Sequence, residues 1–212
     1  MRWIPCFAAS LCCFLGISSQ ALGAGCFGLE LGGDIRDYAH APQAVREIDR
    51  LKVFEVEPGS PDADFDTYAV DTFDGRIIRI MASSSDDRTS GAEHTLKVCK
   101  KLRQELTKAY GDPHFAFDDI DEANEDLLEY LVSNDGVEVL EWTFAERSEK
   151  GIGAIYVFLS GIEDENGRPA SYCTLYMESP DYAVINDAIR QLELAEPPEQ
   201  ADMLPQPDQQ PL

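Results

Sequence analysis

The sequence predicts an α+β domain, a mostly antiparallel sheet with two main helices packed on one face. Three observations lead there. Short apolar runs of strand length are separated by turn dipeptides such as Asp74-Gly75 and Asn166-Gly167. Only two windows, residues 91–110 and 180–195, carry apolar residues at three- and four-residue steps. Each of those windows follows a run of strands, an order typical of helices laid on an antiparallel sheet.

Taken in order, Cys26 to Leu31 alternates Phe27, Leu29 and Leu31 with small or polar neighbours and reads as a strand ended by Gly32-Gly33. A short helix is expected from Gln43 to Arg50, after Pro42. Lys52 to Glu57 reads as a strand closed by Pro58-Gly59-Ser60-Pro61. Thr67–Phe73 and Arg76–Ala82 flank Asp74-Gly75, a two-residue loop whose backbone needs positive φ at both positions. Ser90-Gly91-Ala92-Glu93 has the form of a capping box, opening a helix whose Leu96, Cys99, Leu102, Leu106 and Tyr110 share one face. Gly111 and Pro113 stop it. Leu127 to Val132 fits a strand or a helical turn. A strand holding Leu140, Trp142 and Phe144 follows, then Ile152–Ser160 and Ser171–Glu178. The last helix takes Ser179 as N-cap and Pro180 in its first turn, with Tyr182, Ile185, Ile189 and Leu192 as its stripe. Strand, turn and helix recur around Asp74-Gly75-Arg76 and Asn166-Gly167-Arg168. Duplication and the local chemistry of hairpin turns both account for that.

Residues 1–23 are expected to be a secretory signal peptide. Arg2 is followed by an apolar run from Ile4 to Ile17 and by small residues, with cleavage near Ala21 or Gly23. The domain is then 24–196, and 197–212 is a Pro/Gln-rich tail with too little apolar content to fold. No later segment is long and apolar enough to span a membrane. Losing Arg2 leaves 16 basic against 40 acidic residues, a net charge of −24. That field disfavours nucleic acid and anionic lipid as partners. A lipid anchor at Cys26 is not expected, because the leucine before it sits four positions back instead of three.

Of six cysteines, Cys6, Cys12 and Cys13 leave with the leader. Cys26, Cys99 and Cys173 remain, which suggests one disulfide and one leftover thiol. Cys99 lies on the apolar side of its helix and Cys173 shares a strand face with Leu175 and Met177. Cys99–Cys173 is the favoured pair, with Cys26 able to join either or stay free.

The stretch Thr95 to Pro113, the tryptophan at 142, and the segments IYVFL (155–159) and YCTLYMES (172–179) resemble a loose group of small exported bacterial α+β proteins of unknown function. The resemblance spans about Phe54 to Leu192. It implies an exported α+β domain and carries no catalytic residues.

Asp62, Asp64 and Asp66 alternate as in the opening of a calcium loop, and Asp71 could add an oxygen. The loop lacks the glycine and the bidentate glutamate of an EF-hand, so a solvated acidic loop is the plainer reading and no metal or cofactor is assigned. Lys97, Lys101 and Lys108 belong to a basic strip on helix 91–110, while 112–149 is strongly acidic. Both are candidate contact surfaces, and the acidic run 118–126 could equally cover the chain's own basic helix. His40, His94 and His114 have no partner at metal-ligand spacing. Nucleophile elbows and phosphate-binding glycine loops are missing. These features point to an exported, periplasmic or secreted, non-catalytic binding module, with an envelope protein as the expected partner. A calcium-dependent domain and an exported hydrolase are the alternatives.

Overall fold

The structure is a computed structural model that describes residues 25–38, 43–48, 50–89, 91–116, 127–134, 136–144, 151–164 and 166–195, the last four by backbone alone. The leader, Ser90, the acidic run 118–126, His40 and the tail 197–212 lie outside these residues.

Among the described residues ten strands and three α-helices follow one another, with a short 3-10 turn at Ile35–Asp37. They are β1 (Gly25–Cys26), β2 (Leu29–Glu30), β3 (Arg46–Ile48), β4 (Leu51–Glu55), β5 (Thr67–Phe73), β6 (Arg76–Ser83), α1 (Glu93–Tyr110), β7 (Phe115–Ala116), α2 (Leu127–Ser133), β8 (Val137–Thr143), β9 (Ala154–Glu163), β10 (Pro169–Glu178) and α3 (Tyr182–Ala195). Eight strands form one antiparallel sheet in the order β3-β4-β5-β6-β10-β9-β8-β7, and β1 pairs with β2 as a small hairpin. The α+β class is the expected one.

Several elements differ from expectation, each for a local reason. The predicted helix 43–50 is instead β3, paired with β4 through Arg46↔Val53 and Ile48↔Leu51. A peptide that short cannot stand as a helix without tertiary support, and an open sheet edge lay beside it. The predicted strand 26–31 is folded on itself, because Phe27 and Gly28 take φ 57° and 79° and turn the chain. Segment 127–133 is a helix, and Gly161 of β9 lets it lie close: a Cβ there would come within 2.4 Å of the Val132 amide.

The sheet's pleat separates two faces. On the first, Val70, Ile80, Cys173, Leu175, Met177, Ile155, Val157 and Leu159 join α1, α2 and the β1–β2 hairpin in one apolar core. Trp142 is buried there to 1 % exposure, and its indole N–H donates to the Gly111 carbonyl at the end of α1 (2.9 Å). Cys99 of α1 is bonded to Cys173, with Cα atoms 5.9 Å apart. Cys26 is the one free cysteine among the described residues, and burial pushes its thiol up to about 12.

Helix placement is finer than expected. Helices α1 and α2 share the first face, whereas α3 lies on the other. A bulge at Asp71/Thr72 turns Ile78 to that second face, where it forms a small apolar patch with Leu51 and Phe73. Tyr182, Ile185 and Ile189 of α3 cover that patch. The β5–β6–α1 and β9–β10–α3 units meet antiparallel at β6/β10, yet their helices go to opposite faces. Their turns differ too. Asp74-Gly75 has φ 51° and 78°, while Asp164 organises the second turn by accepting from the Asn166 and Arg168 amides. The two turns are thus built by different local chemistry.

Helix α1 begins differently from the capping box. Glu93 is its first residue instead of its third, and Ala92 sits before it at φ 51° with no side-chain cap. Capping comes from upstream. Thr89 Oγ1 accepts the Glu93 amide (3.1 Å), and Asp87 accepts those of His94 (2.7 Å) and Thr95 (3.2 Å). Asp87 is itself paired with Ser171 of β10, so the helix start is tied to the sheet. A carboxylate satisfies two orphan amides there and meets the positive end of the helix dipole, which a serine cannot. At α3, Ser179 Oγ has no hydrogen-bond partner and does not cap; the Ser179 carbonyl accepts the Tyr182 amide.

Candidate functional site

Helix α3 covers only part of the second sheet face. What it leaves open is a cleft of about 500 Å³, walled by Tyr156 and Phe158 of β9 and Tyr176 of β10. Glu138 of β8 and Glu178 of β10 stand at its sides, Arg79 of β6 on its floor, and Ala183, Asn186 and Asp187 of α3 form the rim. Strand alternation places these residues together. Tyr156 pairs with Tyr176 and Glu141, Phe158 with Glu138, and Glu178 with Arg79, so all point to the side away from the core.

Phe158 and Tyr176 meet edge to face, 5.5 Å apart at 87°, while Tyr156 and Phe158 are tilted to each other, 6.4 Å apart at 52°. Arg79 is committed to Asp71, with a guanidinium nitrogen 2.7 Å from a carboxylate oxygen, and reaches Glu178 only at 3.9 Å. It lies over the Tyr182 ring (4.6 Å) and the Tyr176 ring (5.2 Å). Tyr182 donates its hydroxyl to Asp71 (3.3 Å).

Negative charge dominates the cleft. Burial pushes Glu178 from 4.5 up to about 7, Arg79 pulling it back and the charge of Asp71 adding to the rise. Glu138 is raised by burial and then by Glu141. The Tyr156 hydroxyl is raised by burial and then by Glu178, Glu141 and Glu138. Asp71, 1 % exposed, is raised by burial against the pull of Arg79, and its second oxygen has no partner.

The residues singled out in the sequence lie elsewhere. Asp62 and Asp64 do converge, but on the Lys101 ammonium, 2.5 Å from Asp64 and 3.3 Å from Asp62. The chain supplies its own cation where a calcium ion was considered. Asp71 is on the opposite face of the sheet, held by Arg79, and Asp66 is exposed in the loop before β5. Lys97 and Lys108 are exposed on α1, whereas Lys101 is drawn into that acidic loop, which interrupts the strip. His94 is exposed, near Ser85, and the His114 ring accepts the Thr143 amide (3.0 Å), so the two do not meet. Among the described residues no three His, Cys, Asp or Glu side chains are placed to hold a metal.

Sequence reasoning missed the cleft. Its one available signal was the alternation Tyr156, Phe158 and Tyr172, Thr174, Tyr176, Glu178 opposite the apolar positions of β9 and β10. Too many large rings fall on a face that a solvated sheet would fill with small polar residues.

The disulfide, enclosed in the core, fits an oxidising, extracytoplasmic compartment. No helix among the described residues is long and apolar enough to cross a membrane. Compared with known proteins, the chain matches no family model, no curated protein and no solved structure.

Proposed function

We propose that the protein is an exported, non-catalytic binding module of the periplasm or the extracellular space, and that it engages an envelope protein through the second sheet face. The observation that carries this reading is the aromatic cleft beside α3. A sheet sealed on one side by two helices and a disulfide leaves three ring side chains half open on the other. Solvent-facing rings at that density mark contact surfaces, because their apolar area is costly to leave in water. The signal-like leader and the disulfide support export.

A second reading, an exported hydrolase, draws on Glu178. A carboxyl near 7 in an open cleft is in the state an acid catalyst needs. It requires a nucleophile or base in reach; among the described residues the cleft offers the carboxylates of Glu138 and Asp187 and no histidine or cysteine.

The test is photo-crosslinking in living host cells. A photoreactive residue at Asn186, on the cleft rim, is expected to capture one reproducible envelope protein. That adduct should vanish when Tyr156 and Phe158 are both replaced by serine. An adduct from position 97 alone would move the binding face to α1. None from either position would end the binding reading.

A further inference from the structure

We infer that the cleft receives the basic side chain, lysine or arginine, of a segment of the partner protein. This rests on the binding-module reading and names the chemistry that the same site selects.

Three features of the cleft fit such a side chain. Its walls include the rings of Tyr156, Phe158 and Tyr176, apolar surface that suits an aliphatic stem and π-systems that can attract a cation at its end. Among the described residues its charged groups are in acidic excess: Glu138, Glu178 and Asp187 line it against the Arg79 guanidinium. That guanidinium is already spent on Asp71 at 2.7 Å, and its 3.9 Å reach to Glu178 leaves most of that carboxylate's bonding capacity open. Arg79 between the Tyr176 and Tyr182 rings is an internal precedent for how the neighbouring half of the cleft would hold a second cation.

The rim favours a tethered cation over a free one. Beside the cleft, Ala183 and Val184 of α3 are exposed, Val184 to 73 %, and offer apolar surface along which a peptide backbone can lie. A whole-chain net charge of −23 attracts a basic segment from a distance and repels an acidic one.

A pH dependence follows from the groups facing Glu178. They are Arg79 from β6, Asp71 from β5, Tyr156 from β9, Tyr176 from β10, and Tyr182 and Asp187 from α3. Burial holds Glu178 at about 7, so a basic side chain beside it meets more of the charged carboxylate as pH rises through that value.

The experiment is calorimetric titration of the processed protein with a short Gly/Ser peptide carrying one central arginine. Its controls are the citrulline version, free spermidine, and a peptide with a central glutamate. Expected is saturable binding of the arginine peptide, weaker for citrulline by about tenfold, the worth of one desolvated charge contact. Glu138→Gln and Phe158→Leu, each checked for native melting, should weaken it by a similar factor, and binding should tighten from pH 6 to pH 8. Equal affinity for arginine and citrulline, or indifference to both substitutions, would overturn the inference. Tighter binding of spermidine than of the peptide would overturn the tethered source. Binding of the glutamate peptide alone would overturn the charge assignment while leaving a binding cleft. Failure of every probe together with loss of the Asn186 adduct would bring down the binding reading itself.

Discussion

The two faces of the sheet are built from the same strands and differ in nearly everything else. On β10, Cys173, Leu175 and Met177 enter a sealed core, while Tyr172, Thr174, Tyr176 and Glu178 alternate with them on the other side. The covered face holds a disulfide, a fully buried tryptophan and the tethered start of α1. The open face holds partly exposed rings, carboxylates raised by burial, and an arginine whose Nε has no partner. A pleated strand lets stability and recognition be assigned to alternate residues, so that changes to one need not disturb the other.

The comparison breaks most visibly at Trp142. Trp142→Ala is expected to cost about 3–5 kcal/mol, since it leaves a cavity in the core and an unpaired Gly111 carbonyl. Urea denaturation measures this, and a loss as small as that of a cleft substitution would erase the distinction between faces. Cys173→Ala comes next. The bond closes a sequence separation of 74 residues, and its loss should cost about 2–5 kcal/mol, mainly by freeing the unfolded chain. Reducing agent should shift the melting temperature of the native protein and leave that of the variant unchanged.

Asp87→Ala should cost about 1–2 kcal/mol through the lost cap of α1. Although burial alone would raise it, the bonds from Thr89, Thr95 and His94 hold the Asp87 carboxyl below its usual range. The folded form therefore releases the proton more readily than the unfolded chain. The stabilisation is present above the ordinary carboxylate range and lost as pH falls through it. Acid unfolding should accordingly flatten in the variant.

On the open face, Phe158→Ser is expected to cost about 1 kcal/mol or less, because its ring is partly exposed and lines an open cleft. A loss comparable to Trp142→Ala would show that the cleft is part of the core. The effect at Glu178 is read from pH dependence instead of from stability at one pH. Its folded value near 7 lies above the ordinary 4.5, so the folded protein binds the proton more tightly. Stability should then fall as pH rises between those values and level off above. Glu178→Gln should remove part of that slope in melting curves from pH 5 to pH 8. An unchanged slope would assign it to Asp71 instead.

Much of the frame was legible because it is written in local patterns. The Asp74-Gly75 hairpin, the period of α1, and the facing of Cys99 and Cys173 all follow from spacing within a few residues. What escaped depends on contacts between distant residues. Asp87 caps a helix that starts six positions later, and only its pairing with Ser171 brings it there. The face that α3 takes depends on a bulge turning Ile78 outward, which no periodicity announces. The cleft is legible only after β8, β9 and β10 are placed side by side, since Glu138, Phe158 and Tyr176 come from three strands. Asp62 and Asp64 show the converse. Their local pattern suggested a metal loop, and a lysine from α1 decided otherwise.

The Cys99–Cys173 bond also acts as a register pin. A slip of β10 by one residue would exchange its two faces, sending Tyr176 and Glu178 inward and Cys173 out of reach of α1. Oxidation can close only in the alignment that also assembles the three rings. A chain folding in an oxidising compartment would thus have its strand order proofread by the same reaction that strengthens it, and each oxidised molecule would carry the aromatic cleft already assembled.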